Sequence, residues 1–235
     1  MPEPRIRVAS YNIRKAIGTD RRRNPERILA VLAEIDADIV ALQEADRRFG
    51  PRIAALPPLL IEHHSDYRPA PLNIHADSIG WHGNAMLVRK SAEIRTSDII
   101  HLPYLEPRGA VVAEVALENG AEFRMFGMHL DLSGLWRRRQ ATTILHAHSN
   151  AAEMPTLLAG DLNEWRTLGG CLFDFERHFG FAPCGRSFPS RRPIGQLDRI
   201  MHCDRLKLLD CGVHDSLLAR RASDHLPIWA DVQLK

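Results

Sequence analysis

Apolar residues recur along the chain in short runs separated by polar turns, a pattern typical of many strands and few helices. Alternating or continuous apolar runs predict strands at residues 5–13, 38–42, 84–89, 110–117, 122–129, 156–159, 196–202, 207–211 and 227–232. Apolar residues at helical spacing predict helices at residues 25–35, 136–152 and 171–178. Strands outnumber helices and several are separated by short turns, so we expect mixed, largely antiparallel sheets with helices on the outside.

Local signals support two of these predictions. Asn24 is a suitable N-cap for the first helix, and Pro25 fits its first position, where no backbone hydrogen bond is lost. The sequence Glu118-Asn119-Gly120 is typical of a hairpin turn between two strands. Residues 45–80 are rich in proline and histidine and show no periodicity, so we expect that region to be irregular.

Polar side chains with acid, amide or imidazole groups lie where several predicted strands begin or end. A single Asn, Asp or Glu at such a place is usually a turn or cap residue, and a single His is usually structural. Turns alone do not explain acid, amide or imidazole side chains at six strand ends. Strand ends that gather at one edge of stacked sheets form a cleft. We therefore expect one site formed by Asn12, Glu44, His129, Asp161 with Asn163, Asp198, and Asp224 with His225.

Carboxylates gathered in one cleft would repel each other strongly unless a cation or buried positive groups compensate them. The donor set is rich in oxygen and contains no cysteine, which suits Mg²⁺ or Mn²⁺ better than Zn²⁺. Histidines near carboxylates supply acid–base groups, and amide and imidazole donors stabilise a phosphoryl oxygen that gains charge. The pattern therefore predicts metal-assisted hydrolysis of a phosphate ester.

Composition and charge exclude only a few classes of protein. The 235 residues, 45% of them apolar, are enough for one globular domain, so we expect a single catalytic domain over residues 1–235. The net charge of +2 gives no overall attraction to nucleic acid, so phosphate binding depends on local clusters. No apolar run is long enough to span a membrane and no signal-peptide pattern is present, so we expect a cytoplasmic protein with reduced cysteines. No pattern indicates an obligate protein partner.

The order and wording of these motifs resemble the endonuclease/exonuclease/phosphatase superfamily, the metal-dependent phosphoesterases related to pancreatic deoxyribonuclease. LQE, GDxN and SDH in this order are specific together, although none of them is specific alone. The resemblance implies a four-layered α/β sandwich, in which two packed, mostly antiparallel β-sheets are flanked by helices, and a Mg²⁺ or Mn²⁺ cofactor. The matching stretches, spanning residues 10–228, are SYNI, ALQEAD, HGNAML, PRGAVV, GMHLDLSGLWRRRQ, GDLNEW, QLDRI and SDHLPI.

The resemblance implies a metal site and a water-activating group. Glu44 would be the principal metal ligand and Asp224 a second ligand. Asn12 would support the metal and its carboxylates. Asp161 would position or deprotonate the attacking water, and Asn163, just beyond the strand, would hold an oxygen of the same phosphate.

The remaining positions match phosphate-binding and acid–base roles. His225 would bind the phosphate and stabilise its developing charge, oriented by Asp198. His129 lies where deoxyribonuclease-like members place a second histidine, a candidate general acid. Arg108 matches a family position near the cleft, and Lys15 follows the first strand closely enough to contact an anionic substrate.

Departures from the wider family indicate the substrate class. Apurinic/apyrimidinic endonucleases usually place Thr or Ser and then Lys after LQE, and a tyrosine near the position of His129, whereas Ala45 and Asp46 follow Glu44 here. The stretches GNAML, PRGA, HLDLS and RSFPS resemble a bacterial branch of the superfamily. That branch shares its GNA and RG sequences with sphingomyelinase-like phosphodiesterases. We therefore expect hydrolysis of a phosphodiester, or of a phosphomonoester, with a small phosphodiester or phospholipid headgroup as substrate. A DNA or RNA nuclease, and a non-catalytic binding module with the same fold, are the alternatives.

Two further groups of residues are interpreted as structural or solvated. The arginine runs at residues 21–23, 137–139, 191–192 and 220–221 are typical of solvated faces. Trp81, Trp136 and Trp165 flank the motifs and are interpreted as core residues, with stacking on a base or headgroup as the alternative.

Overall fold

Two β-sheets pack face to face in the computed structural model, which describes residues 4–47, 53–72 and 77–235. Within these residues the helices are α1 (Pro25–Ile35), α2 (Pro58–His64), α3 (Gly134–Ser149), α4 (Cys171–Glu176) and α5 (Leu217–Ala222). A short 3-10 turn spans Arg14–Ala16. The strands are β1 (Arg5–Asn12), β2 (Ile39–Gln43), β3 (Tyr67–Pro69), β4 (Gly80–Trp81), β5 (Asn84–Arg89), β6 (Glu93–His101), β7 (Gly109–Ala116), β8 (Glu122–His129), β9 (Thr156–Asp161), β10 (Gly180–Phe181), β11 (Asp198–His202), β12 (Leu206–Val213) and β13 (Ile228–Leu234).

The sheet topology is mostly antiparallel. The first sheet has the order β12-β13-β1-β2-β5-β3, with β4 paired to β5, and the second has the order β10-β11-β9-β8-β7-β6. Among the described strands, only β1 with β2 and β8 with β9 are parallel neighbours. A parallel pair needs a crossover connection, and here α1 and α3 provide the two crossovers.

Alternation along the strands divides the apolar residues between an inner core and two outer cores. In β1, Val8 belongs to the core between the sheets, whereas Tyr11 packs under the helices α1 and α5. In β8, Met125 lies between the sheets, and Met128 packs under α3 and α4. The result is a helix–sheet–sheet–helix arrangement, which confirms the predicted four-layered α/β sandwich.

The helix predicted at residues 25–35 has the same bounds in the structure, and the Asn24 side chain accepts a hydrogen bond from the Arg27 backbone N–H (2.8 Å). Strands β5 and β8 also match their predictions. The expectation of an irregular region over residues 45–80 is wrong, because α2, β3 and β4 lie there; residues 48–52 and 73–76 are outside the described residues.

Besides the short 3-10 turn, three described elements outside that region, β6, β10 and α5, are absent from the sequence predictions, and β10 has only two residues. Strand β6 is the edge strand of its sheet and is mostly exposed or half-buried, so it shows no clean apolar alternation. Helix α5 has six residues, too few for a periodic signal. In the described part of the chain no helix is long and apolar enough to cross a membrane.

Candidate active site

The first sheet brings polar residues from three chain segments to one edge. Strands β1 and β2 are parallel neighbours, so Asn12 at the end of β1 and Glu44 just after β2 lie at the same edge. Strand β13 runs antiparallel to β1, and Ser10 pairs with Ile228. The residues that precede β13, Asp224 and His225, therefore enter at that edge too.

The second sheet contributes three more residues by strand pairing. His129 at the end of β8 pairs with Asp161, the last residue of β9, and Asp198 at the start of β11 pairs with Asp161 from the other side. Arg108 immediately precedes β7, whose first residue pairs with His129. The structure thus brings together residues spread over more than 200 positions of sequence, because their strands end at facing edges of the two sheets.

The Asp161 carboxylate is the centre of the arrangement and is almost fully buried. Its Oδ2 atom accepts a hydrogen bond from Asn12 Nδ2 at 3.0 Å and lies 3.4 Å from His129 Nε2 and 3.7 Å from His225 Nε2. Its Oδ1 atom accepts a hydrogen bond from the Asn163 backbone N–H at 2.9 Å. One carboxylate therefore contacts an amide and two imidazoles that come from both sheets.

Asn163 differs from its expected orientation. Its backbone φ of 50° is left-handed, and its side-chain Nδ2 donates to the Leu130 carbonyl at 2.9 Å. The two-residue spacing from Asp161 gives a local Asx-type turn in which the carboxylate caps the Asn163 backbone N–H. The side-chain amide nitrogen is thus committed to the backbone, and Asp161 ends the strand rather than following it.

His225 and Asp198 form a buried pair. Nδ1 of His225 lies 2.9 Å from Asp198 Oδ2, and the same oxygen accepts a hydrogen bond from Ser187 Oγ. Burial opposes protonation of the ring, but the charges of Asp198 and Asp161 and the hydrogen bond to Asp198 outweigh it and raise the pKa of His225 to about 10. Arg199 does not compete for this carboxylate, because its Nη1 donates to the Asp198 main-chain oxygen.

Two partly exposed carboxylates on the first sheet are each held by a cation. Lys15 Nζ lies 2.5 Å from Glu44 Oε2, and Arg14 Nε lies 3.3 Å from Asp224 Oδ2. Arg14, Lys15 and Ala16 all have left-handed φ angles, an arrangement that non-glycine residues rarely adopt, and the Lys15 backbone N–H donates to the Glu44 carbonyl at 2.9 Å. The strained turn thus places both cations on the acidic groups.

Arg108 and His129 form the opposite wall. Arg108 Nη1 lies 2.9 Å from His129 Nε2 and 3.0 Å from Nδ1. A guanidinium only donates hydrogen bonds, so this contact requires a ring nitrogen that carries a lone pair. A cavity of about 30 Å³, about enough for a water molecule, is lined by both of these residues together with Lys15 and Glu44.

The same cavity exposes residues that the sequence analysis did not single out. Asp46 and His82 line it, and both lie inside motifs already quoted, ALQEAD and HGNAML. Ser187 and Ser223 were also missed: Ser187 donates to Asp198, and Ser223 Oγ donates to the Asn12 carbonyl at 2.7 Å. The serines lie in RSFPS and SDHLPI, and a small polar residue in a loop gives no signal until its partner is known.

Two interpretations of surface residues need correction. Arg137 belongs to an arginine run taken as solvated, but its side chain is buried and its Nη2 pairs with Glu164 Oε2 at 2.9 Å. Trp165, interpreted as a core residue, is 59% exposed. Tertiary contacts decide both cases, because the partner of Arg137 lies 27 residues away in sequence.

Two groups of side chains offer donors for a hard divalent cation. Glu44 and Asp224 are carboxylates with partial exposure that already attract positive charge. The Asn12 backbone joins their segments, because its carbonyl accepts from Ser223 beside Asp224 and the residue pairs with Gln43 beside Glu44, while its side chain is bonded to Asp161 and to the Arg14 backbone N–H. These groups fit Mg²⁺ or Mn²⁺.

A second group, Asp161, Asp198 and His225, has ligand atoms within 4.8 Å of one another. There His225 Nδ1 is hydrogen-bonded to Asp198, and the raised pKa favours the protonated ring, which has no lone pair for a metal. The first group therefore fits a cation better than the second.

Known proteins provide an independent view of this site. The sequence profile of the "Endonuclease/Exonuclease/phosphatase family" matches residues 9–225, a range that contains every predicted site residue. YbhP of Escherichia coli (strain K12) is 27% identical over 258 residues, covering 97% of this chain and 96% of that protein.

Solved structures share the fold at low identity. Bacteroides thetaiotaomicron mannosyl-6-phosphatase Bt3783 has a TM-score of 0.74 at 18% identity, with 97% of this chain and 99% of that chain covered. D. rerio TDP2 complexed with single-strand DNA product has a TM-score of 0.75 at 18% identity, with 98% and 100% covered. The first protein is a phosphatase of a mannosyl phosphate and the second was solved with a DNA product, and at 18% identity both likenesses show the fold alone.

Proposed function

The chain belongs to the endonuclease/exonuclease/phosphatase family, and on that premise we propose that it is a divalent-metal-dependent phosphoesterase that hydrolyses a small phosphodiester or a phospholipid headgroup. The observation that carries the proposal is the Asp161 carboxylate with His129, His225 and Asn12 around it in a buried cluster. We also propose that residues 1–235 act as one catalytic domain.

His225 is suited to bind the phosphoryl group. Asp198 accepts from Nδ1 and favours the protonated ring, so Nε2–H is available as a charged donor to a phosphoryl oxygen. The ring also lies against Phe188, whose centroid is 4.7 Å away, which limits its rotation. On this proposal the imidazolium stabilises negative charge as it develops on the phosphoryl oxygens.

Asp161 is suited to orient and deprotonate the attacking water. Its Oδ1 faces the Asn163 backbone and its Oδ2 faces the histidines, so the carboxylate is fixed in one orientation. His129 would donate a proton to the leaving oxygen. Since Arg108 now occupies a lone pair of that ring, we propose that Arg108 turns to a substrate oxygen on binding, which frees His129 to carry a proton.

Glu44, Asp224 and Asn12 would hold the cation, which when bound polarises the phosphate ester and offsets its charge. Lys15 and Arg14 compensate these acids in the arrangement described. Lys15 would move from Glu44 to the phosphate, in keeping with its expected contact to an anionic substrate.

A nuclease is the second candidate, and one observation favours it: exposed arginines lie in loops around the site, where they can attract a polyanion. A non-catalytic binding module is disfavoured, because the acid, amide and imidazole positions are all occupied and mutually oriented.

The experiment compares purified protein with Mg²⁺ or Mn²⁺ against bis-p-nitrophenyl phosphate, p-nitrophenyl phosphate, plasmid DNA and a phospholipid panel. We expect metal-dependent hydrolysis of a diester that Asp161→Asn abolishes. Asp204→Asn, at an exposed turn, is the matched control and should retain activity. Failure of every ester with either metal would contradict the proposal.

A further inference from the structure

Exposed apolar side chains are concentrated around the mouth of the candidate site. Eight large apolar residues in the described part of the chain are at least 59% exposed, and six of them lie in loops, or in the first turn of α3, at the edge of the second sheet where the site opens. We call these six the apolar rim: Leu105, Leu132, Leu135, Trp165, Leu168 and Ile194. Monomeric proteins rarely cluster exposed apolar groups beside a polar cleft without a binding role.

Buried polar groups hold the rim loops together. Asp131 Oδ2 accepts hydrogen bonds from the backbone N–H groups of Leu105 and Glu106 at 3.2 Å, which joins the loop after β6 to the loop after β8. Arg137 donates to the Leu132 carbonyl at 2.6 Å and pairs with Glu164, next to Trp165. The rim is therefore presented by a fixed scaffold.

The third part of the rim is joined through an aromatic contact. A Cβ atom at Gly195 would lie 3.0 Å from the Trp165 ring, so the Ile194–Gly195 segment packs closely on that indole. Trp165 in turn lies 5.9 Å from the Phe188 ring, and Phe188 lies 4.7 Å from His225. From the rim, the rings of Trp165 and Phe188 thus lead inward to His225, the candidate phosphate-binding residue.

The charge of the rim loops is strongly positive. Of the acidic residues within residues 102–108, 130–139, 162–170 and 186–197, Asp131 and Glu164 are buried and Glu106 is half-buried beside Arg108. Exposed cations with apolar neighbours are typical of surfaces that bind anionic lipid. The exposed arginines in these four segments are Arg138, which pairs with Asp174 at 3.2 Å, and Arg139, Arg166, Arg186, Arg191 and Arg192.

We propose that the apolar rim docks the protein on an anionic lipid surface, with the candidate site facing the headgroups. Nucleic acid would use the same arginines and would stack on Trp165 and Tyr104, but five of the six rim residues are aliphatic and offer no stacking surface, which favours lipid. The role of this docking rests on the proposed function, because docking would bring a lipid headgroup to the Asp161 cluster. Lipid binding itself requires neither metal nor turnover.

The test measures co-sedimentation of the full chain with vesicles in EDTA, which removes metal and turnover. Vesicles of phosphatidylcholine alone are compared with vesicles of phosphatidylcholine and phosphatidylglycerol in equal parts. We expect binding to the anionic vesicles that falls about ten-fold or more in the double variant Leu132→Ser, Leu168→Ser. The matched control is Leu59→Ser, Leu217→Ser, which removes two equally exposed leucines from α2 and α5, away from the rim, and should bind as wild type.

The outcomes separate this inference from the proposed function. No binding of the wild type to anionic vesicles, or an equal loss in both double variants, would overturn docking. Tight binding of a single-stranded oligonucleotide that competes with vesicles and is lost in Trp165→Ala would assign the rim to nucleic acid instead. Hydrolysis of soluble bis-p-nitrophenyl phosphate by the wild type tests the proposed function alone. Thermal unfolding midpoints of the variants verify that each is folded.

Discussion

Single residues of the site are arranged so that each charge faces a partner of opposite sign or a hydrogen-bond donor. Asp161 has Asn12 and two imidazoles, Asp198 has His225 and Ser187, and Glu44 has Lys15. The pairs that involve Asp161 and Asp198 are buried, whereas Glu44 and Lys15 are partly exposed. The buried pairs therefore suit fixed positioning, and the exposed pair suits exchange with a metal or a substrate.

The first prediction concerns the metal. Glu44→Gln should abolish activity and weaken Mn²⁺ binding while the fold stays intact, because it removes one charge from a partly exposed cleft. Calorimetric titration measures the affinity, and circular dichroism verifies the fold. An unchanged Mn²⁺ affinity in the folded variant would show that Glu44 is not a ligand.

The second prediction concerns Lys15. In Lys15→Met the Glu44 carboxylate loses a cation that competes for it, so Mn²⁺ should bind about two- to five-fold more tightly, the range that a partly exposed ion pair supports. The KM for an anionic diester should rise, since Lys15 no longer contacts the phosphate. Lys90→Met, at an exposed turn, is the control. Weaker metal binding in Lys15→Met would refute the competition.

The third prediction concerns the His225–Asp198 pair. In metal-free protein, Asp198→Asn should lower the pKa of His225, because a neutral amide no longer favours the imidazolium. The pKa is raised in the folded state, so the stabilisation from the protonated ring is present below pH 6.5 and is lost as the pH rises toward 10. The NMR titration of the His225 ring measures the shift.

The same variant should lose much of kcat while metal affinity is retained. The double variant with His225→Ala should lose little more than the worse single variant, because residues that act as a unit are non-additive. Additive losses, or an NMR midpoint that does not move, would make Asp198 a structural carboxylate.

Elements position the site through a few connections that cross between them. Helix α3 is tied to the loop after β9 by the buried Arg137–Glu164 pair, and the same arginine holds the loop after β8. Breaking a buried pair leaves a charge uncompensated, whereas removing an N-cap loses one hydrogen bond. The two kinds of change should therefore differ in their cost.

The fourth prediction compares these two changes. Glu164→Gln should lower the free energy of unfolding by about 3 kcal/mol or more, because Arg137 keeps its charge in a buried place. Asn24→Ala, which removes the cap of α1 on the opposite face, should cost about 1 kcal/mol. Urea denaturation of both variants measures the difference. Equal losses would mean that Glu164 is not the compensating charge for Arg137.

In the molecule as a whole, the small net charge coexists with an excess of positive charge around the site. The net charge is +2, yet the loops around the site carry exposed arginines with few exposed acids. Screening by salt weakens contacts with many phosphates far more than contacts with one.

The fifth prediction uses this contrast to test the nuclease alternative. If nucleic acid is the substrate, KM for DNA should rise steeply with salt, while KM for a small diester should rise only slightly. Steady-state kinetics over a salt series measures both slopes. Equal, shallow slopes for the two substrates would count against a nuclease.

Most of the strands could be predicted from the sequence, because they depend on local patterns. The order of the motifs indicated the family, and the four-layered architecture followed from that resemblance. Runs of apolar residues predict a strand correctly where the strand is buried, as in β1 and β8, whose two faces pack in different cores. The pattern failed at the edge strand β6, where burial is slight. The acid and imidazole residues of the site could also be predicted, because they lie at strand ends and occur in motifs.

How those residues meet depends on the tertiary fold. The Lys15–Glu44 contact depends on a left-handed turn, the Arg108–His129 contact depends on the pairing of β7 with β8, and Ser187 joins the site across a loop. The fold likewise buries the charged side chain of Arg137 and leaves Trp165 exposed. Such facts depend on which distant groups become neighbours, and a side chain's charge, exposure and hydrogen bonds are set by those neighbours rather than by its place in the chain.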